Sequence, residues 1–156
     1  LNSERASRLL SLMRSRHVTL SPTLAVFERR DGDKDTNTMH VQGFRQMVAF
    51  TGQAHRAGVR VVVGSHSSVP HAERGWAYQR EMELLVEAGL TPLQVIQAGT
   101  LENAKFFRVE NRLGSIEPGK QADLVLVEGD PSQDISNMRR VKKVMIDGAW
   151  LGPATQ

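Results

Sequence analysis

The stretch VRVVVGSHSSVPHAERGWAYQREMELL, residues 59–85, contains the pattern that decides the fold. It begins with four valines and one arginine in a run of strand length. Such a run is typical of strands that are buried on both faces of a parallel sheet. A polar segment with two histidines follows, and apolar residues then recur at helical spacing, which predicts a helix over Tyr78–Ala88. The order of strand, polar loop and helix indicates one βα unit.

The residues before this stretch show the same alternation. A helix is predicted over Glu4–Ser15, with an apolar stripe, and the run HVTLSPTL, residues 17–24, predicts a short strand. The Gly- and Asp-rich segment Glu28–His40 predicts a long surface loop, which in a compact domain is either functional or mobile. Helical spacing returns over Gln42–Arg56. This alternation predicts an α/β unit.

The pattern changes after residue 108. Thr91 and Pro92 still predict a helix start, and Thr100 begins a second short helix. The later residues are rich in glycine and proline and contain two strand-like runs, with Asp147-Gly148 as a strong hairpin signal between VMI and AWL. We therefore predict two units, an α/β unit over residues 1–108 and a small antiparallel unit over residues 109–156.

Composition narrows the class of protein. The 156 residues are 40% hydrophobic and 24% charged, as in ordinary globular proteins. The chain has no cysteine, which excludes disulfides and thiolate chemistry. Because no apolar run approaches the about 20 residues of a membrane span, and the first residues have no secretory pattern, we expect a cytoplasmic protein with no membrane partner.

The net charge of +3 raises the question of a nucleic-acid partner. Four arginines lie in SERASRLLSLMRSRH, residues 3–17, where no aromatic residue accompanies them. A nucleic-acid surface is expected to combine basic and aromatic side chains, whereas charges beside an apolar stripe are typical of a solvated helix face. The second interpretation is favoured, so we expect no nucleic-acid partner.

An ordered set of short motifs resembles the C-terminal end of the amidohydrolase superfamily, in the branch of the imidazolonepropionases and prolidase-like hydrolases. The motifs lie in EAGLTPLQVIQAGTLENAKFF, LGSIEPGKQADLVLVEGDPSQDI and VKKVMIDGAW. In order they are Thr91-Pro92, Thr100, Asn103-Ala104, Gly114, Pro118-Gly119-Lys120, Ala122-Asp123-Leu124 and Asp130-Pro131. The resemblance is dense over residues 58–150 and looser before them.

This resemblance implies a fold. Members of the superfamily have a (β/α)8 barrel of the TIM type and a β-sandwich made from both chain ends. The run HVTLSPTL resembles the seventh barrel strand, VRVVVGS resembles the eighth, and the residues after 108 resemble the C-terminal share of the sandwich. The expected fold is therefore α/β, the last two βα units of a barrel followed by C-terminal sandwich strands, incomplete relative to the family.

The resemblance also implies a catalytic position. Chemistry in such barrels lies at the carboxyl ends of the strands, and family members usually end the eighth strand with an aspartate that contacts the metal and takes a proton from metal-bound water. His66 occupies that position here. Histidine is able to bind Zn²⁺ or to act as a base near neutral pH, but the exchange removes one negative charge from the site. A histidine held by hydrogen bonds at a strand end is the structural alternative.

The remaining histidines fall into two groups. His17 and His55 are expected away from the active face, whereas His71 and His40 are able to share it with His66. The other substrate-side candidates are Ser65, Ser67, Trp76 and Tyr78, for which packing and surface roles are the alternative. A serine nucleophile is not supported, because no nucleophile-elbow motif is present. The family's other metal ligands would lie upstream of residue 1, so no complete metal site is expected in this chain.

Three hypotheses for function follow. The chain is the C-terminal portion of a metal-dependent hydrolase of carbon–nitrogen bonds (amide, lactam or acyl-dipeptide), a split subunit that associates to complete a barrel, or a non-catalytic binding module. In the complete parent we expect a divalent metal, with zinc favoured, and a small-molecule amide-type substrate. The isolated chain is expected to bind no metal tightly, to be inactive, and to associate with itself or with the missing N-terminal portion.

Overall fold

The computed structural model describes residues 3–34 and 36–152, so Asp35 of the predicted loop and residues 153–156 of the predicted C-terminal unit lie outside the described residues. Helices and strands alternate up to residue 106, and the strands that follow are antiparallel. The elements are α1 (Ser3–Ser15), β1 (Thr19–Leu20), α2 (Leu24–Phe27), α3 (Thr38–Arg56), β2 (Arg60–Val61), α4 (Ala77–Glu87), α5 (Pro92–Gly99), α6 (Leu101–Phe106), β3 (Leu124–Val127), a 3₁₀ helix (Ile135–Arg139), β4 (Val141–Ile146) and β5 (Ala149–Trp150).

Local capping explains where the helices begin. The predicted start of α5 is confirmed, because the Thr91 hydroxyl accepts the Gln94 amide proton and the Gln94 side chain accepts the Thr91 amide proton, at 3.3 and 2.8 Å. Helix α3 begins four residues before the predicted position. The Asn37 side chain accepts the backbone N–H of His40 and so starts the helix early.

The central sheet is a parallel pair, β1 with β2, in which Thr19 lies opposite Arg60 and Leu20 opposite Val61. Both strands are shorter than predicted. The Val62 N–H still donates to the Leu20 carbonyl of β1 at 3.0 Å. The Val63 backbone then bonds to α5 and α6, donating to the Ala98 carbonyl at 3.3 Å and accepting from the Asn103 side chain at 3.0 Å. The valines of the run are all buried, as predicted, but only two residues pair as a strand.

The main core lies between β2 and helices α2, α4 and α5. Its fully buried residues include Leu24, Leu84, Leu85 and Val95, and Ile135 of the 3₁₀ helix belongs to the same cluster. The residues after 108 therefore pack onto the α/β part of the chain. In α1 the predicted apolar stripe is only partly buried. Leu10 belongs to a second buried cluster with Ala54 of α3 and Val59, whereas Leu9 is 41% exposed.

The last part of the chain is a three-stranded antiparallel sheet in the order β3-β4-β5. The predicted Asp147-Gly148 hairpin turn is confirmed, with φ of 50° and 77°, the left-handed values that this turn requires. One short helix, the 3₁₀ helix over Ile135–Arg139, was not expected from the pattern. Within the described ranges, no helix is long and apolar enough to cross a bilayer.

Candidate functional site

Two loops meet at the carboxyl edge of the parallel pair. Because β1 and β2 run in the same direction, the residues that follow them, Ser21–Thr23 and Gly64–His66, leave the sheet on the same side. Gly64 lies against Ser21 so closely that a Cβ atom at this position would overlap the Ser21 hydroxyl. The contact places the loop that carries His66 directly against the loop after β1.

His66 is exposed at this edge. The Ser65 hydroxyl donates to the His66 carbonyl at 3.3 Å, and within the described residues no hydrogen bond is formed by the imidazole. The ring is therefore not held as a structural histidine would be by a hydrogen-bonding partner in this part of the chain. Its role in catalysis or metal binding stays a prediction.

His71 joins the loop after β2 to the loop after α2, through a residue that the sequence pattern did not indicate. Its Nε2 lies 2.9 Å from Asp33 Oδ2, in the loop after α2, and Asp33 also accepts the Arg30 amide proton at 2.7 Å. The hydrogen bond from the Arg30 amide is the main cause that lowers the Asp33 pKa, burial opposes it, and His71 adds to the lowering. Asp33 is one of several aspartates in a polar loop, and nothing in its spacing singles it out.

The other substrate-side candidates make different contacts. The Tyr78 hydroxyl donates to the Gly99 carbonyl at 3.1 Å, and burial raises the pKa of this tyrosine. The Trp76 ring lies 5.7 Å from the Arg139 guanidinium. Ser67 is exposed. Tyr78 and Trp76 thus hold α4 to neighbouring elements, and substrate roles for all three stay predictions.

A buried ion-pair network lies beside the loop after α2. Glu28 is almost fully buried and accepts hydrogen bonds from Arg30 and Arg80, and Arg80 also pairs with Glu83. Burial alone would raise the Glu28 pKa, but the hydrogen bonds from Arg80 and Arg30 outweigh it and lower the pKa. Glu83 continues the network to Arg139 of the 3₁₀ helix at 2.6 Å. Because the carboxylates are paired, the network stabilises the fold and offers no free catalytic group.

Glu81 is a buried acid with an incomplete set of partners, and the sequence pattern did not single it out. Its side chain has no exposed surface. One carboxyl oxygen, Oε2, accepts the Ala25 amide proton at 2.7 Å, and the other, Oε1, has no partner among the described residues. Burial raises the Glu81 pKa to about 7, against the opposing effects of the Ala25 and Leu24 amides and the charge of Arg80.

The described residues do not form a complete metal centre. Nowhere in residues 3–34 and 36–152 do three His, Asp or Glu side chains lie close enough together to hold a metal ion. His17 and His55 line a cavity of about 420 Å³ beside the amino ends of the strands, away from His66, and His40 is exposed at the start of α3. His66 therefore supplies at most one ligand of a larger site, and the residues present do not fit a metal by themselves.

Known proteins resemble this chain over most of its length. The model of the amidohydrolase family matches residues 3–151. A solved Xaa-Pro dipeptidase with bound methionine is 30% identical with a TM-score of 0.79, over 92% of this chain and 37% of the dipeptidase. The ochratoxinase of A. niger has a TM-score of 0.74 at 23% identity, over 96% of this chain and 35% of the enzyme, which is a likeness of fold alone.

A shorter match links the chain to a curated relative. The adenine deaminase of Clostridium botulinum (strain Loch Maree / Type A3) is 43% identical over 63 residues, which are 40% of this chain and 10% of the deaminase. The matched part of the chain thus covers about a tenth of the length of this relative, and little more than a third of the solved enzymes. The α/β fold is the one that the solved enzymes share over the matched region, and the family match covers nearly all of the described residues. The chain belongs to the amidohydrolase family.

Proposed function

We propose that residues 1–108 form the last two βα units of a (β/α)8 barrel and that residues 109–156 supply the C-terminal strands of a β-sandwich. The parallel pair β1–β2 with its helices supports the first part, and the antiparallel sheet β3-β4-β5 supports the second. Both parts align with the Xaa-Pro dipeptidase, whose chain is almost three times as long as the matched region.

The complete protein, on this proposal, hydrolyses carbon–nitrogen bonds of an amide, lactam or acyl-dipeptide. The observation that carries the proposal is the amidohydrolase match over residues 3–151. The names of two relatives are consistent with it, because a deaminase and an Xaa-Pro dipeptidase both cleave carbon–nitrogen bonds. His66 lies where strand-end chemistry is expected in a barrel, at the carboxyl edge of the sheet.

Enzymes of this family generally depend on a bound metal, and zinc suits an imidazole ligand. A catalytic zinc is held by about three protein ligands, and no three His, Asp or Glu side chains of the described residues come together to supply them. We infer that His66 contributes either one ligand or a general base, with Ser65, Ser67 and His71 on the substrate side. The remaining ligands then come from outside the described residues, and the chain by itself is inactive.

A split-subunit or non-catalytic binding module is the second candidate. Two features favour it. Among the described residues the parallel sheet has two strands, so β1 presents an edge to which a further strand could pair. The strand-end position that resembles the family's aspartate is His66, which lacks the negative charge that helps hold a cation. Whether the reading frame continues upstream of residue 1 separates a portion of a longer enzyme from an independent subunit.

Metal content and hydrolysis, measured on the same purified chain, test the proposal. After dialysis against zinc, the chain alone is expected to hold much less than one zinc per molecule and to hydrolyse none of a panel of amides, lactams and acyl-dipeptides. In a longer, active product of the same gene, His66→Ala should lower kcat about 100-fold, which is the usual effect of removing a general base. His55→Ala, at the opposite end of the strands, is the matched control and should leave kcat unchanged. Tight zinc together with turnover by the chain alone would overturn the proposal.

A further inference from the structure

The cap of helix α2 comes from a distant part of the chain. Thr23 precedes the helix in the left-handed region, with φ of 48° and ψ of 45°, and its side chain makes no capping hydrogen bond. The first N–H groups of a helix need an acceptor, and a local side chain usually provides it. Here the acceptor is Glu81 of α4, which is 56 residues from Ala25 in sequence and accepts its amide proton at 2.7 Å.

This contact connects Glu81 to the candidate site. Helix α2 begins directly after the Ser21–Thr23 loop, so fixing its first turn also fixes that loop. The loop in turn lies against Gly64. A Cβ atom at Gly64 would overlap the Ser21 hydroxyl and would lie 3.5 Å from the Thr23 methyl group. A movement of the first turn of α2 is therefore transmitted to the segment that carries His66.

We infer that Glu81 is a positioning residue of the candidate site, whose buried carboxyl group holds the Ser21–Thr23 loop against Gly64–His66 and whose protonation state alters that arrangement. This inference rests on the site of the proposed function, but it concerns structure and needs no catalysis to be tested. No comparable role follows for Glu87 of the same helix, whose side chain is 53% exposed and pairs with Arg80.

The surroundings of Glu81 make its protonation consequential. Leu24, Leu84 and Leu85 around it are fully buried. The charge that acts on the carboxyl group is that of Arg80, which is itself paired with Glu28, Glu83 and Glu87, and α2 presents the Leu24 and Ala25 amides. A proton on Glu81 removes the negative charge that these amides face, and burial places the Glu81 pKa at about 7, where the change is accessible.

Amide NMR spectra of this chain across pH 5.5–8.5 test the inference, with Glu81→Gln and Glu87→Gln as matched variants. In the wild type, the amide resonances of Ala25, Thr23 and Gly64 should share a transition with a midpoint near 7. Glu81→Gln should abolish that shared transition. Glu87→Gln should retain it.

Two results would overturn the inference. The first is a wild-type transition at Ala25 that does not extend to Thr23 and Gly64, because the cap would then be a local stabilising contact only. The second is a shared transition that persists in Glu81→Gln, because another group would then cause it. The first result is read from the wild type alone, and the second from a variant that keeps the size of the side chain, so neither depends on a destabilised fold.

Discussion

At the scale of single residues, Glu81 gives the chain a pH-dependent stability. Burial raises its pKa from 4.5 to about 7 in the folded state. Between these values the folded protein holds a proton that the unfolded chain has lost. The contribution of this proton to the free energy of unfolding is therefore fully present below about pH 4.5 and is lost as the pH rises to about 7. A pKa shift of this size corresponds to roughly 3 kcal/mol.

The measurement is urea unfolding of the wild type and of Glu81→Gln at pH 5 and pH 8. Glu81→Gln should be more stable than the wild type at pH 8, by up to roughly 3 kcal/mol, and the two should converge at pH 5. Glu87→Gln serves as the exposed control on the same helix. The pKa values of Glu28 and Glu83 are lowered by their arginine partners, so these carboxyl groups stay ionised between pH 5 and pH 8. An equal fall in stability of wild type and Glu81→Gln from pH 5 to 8 would contradict the assignment.

Arg80 supplies a second prediction at this scale. Arg80→Met would leave Glu28 buried with only Arg30 as a partner, and a buried carboxylate that loses its main counter-charge costs about 3–5 kcal/mol. The check is chemical denaturation at pH 7. The double variant Glu28→Gln with Arg80→Met should recover much of the loss, because it removes the unpaired charge. A double variant as unstable as the single one would show that packing of the Arg80 side chain, and not its charge, is what matters.

The residues of the candidate site were only partly predictable from sequence. His66 was found because a strand end followed by a histidine is a local pattern. Asp33 and His71 are 38 residues apart, and Glu81 and Ala25 are 56 apart, so no spacing rule connects either pair. Such contacts arise when parallel strands bring their following loops together, and this depends on the tertiary fold.

At the scale of elements, the helices followed from sequence better than the strands. Helix α4 lies within one residue of its predicted bounds, and α5 and α6 begin where the sequence predicted. The start of α5 was predictable because its capping box, Thr91 with Gln94, is local in sequence. The strand in VRVVV was predicted too long, because Val63 bonds to Ala98 and Asn103 on other elements and leaves the ladder. Helix α2 was missed altogether, since its cap comes from Glu81.

The crossing of α3 and α4 offers a matched pair of substitutions. Gly52 of α3 lies against the Ala88 carbonyl, and a Cβ atom there would overlap this backbone oxygen, whereas Gly43 of the same helix has open space around it. Gly52→Ala should destabilise the fold by about 1–3 kcal/mol, because the two helices must separate. Gly43→Ala should stabilise it by about 0.5–1 kcal/mol through helix propensity.

Thermal unfolding followed by circular dichroism compares the two variants directly. The substitution is chemically the same in both, so the difference between them isolates the close contact from helix propensity. A Gly52→Ala variant as stable as Gly43→Ala would contradict the close contact between Gly52 and the Ala88 carbonyl.

At the scale of the whole molecule, the described residues combine a very short parallel sheet with exposed apolar side chains. A two-stranded sheet is marginal in water, and β1 and β2 contribute two residues each. The C-terminal sheet exposes large apolar side chains, among them Val125, Leu126, Ile146 and Trp150, each about half exposed. Apolar surface of this kind is usually covered by another chain or segment. We therefore predict that the chain associates, with itself or with the portion that completes the barrel.

We propose that these residues are part of a larger barrel and need a partner to close it, and light scattering over a concentration series is the test. We expect a mass above the 17.3 kDa of one chain, rising with concentration, together with broad unfolding. Addition of a polypeptide that carries the remaining barrel strands should replace these self-associated species with a single complex. A concentration-independent, compact monomer of 17.3 kDa that unfolds in one sharp transition would show that the chain needs no partner.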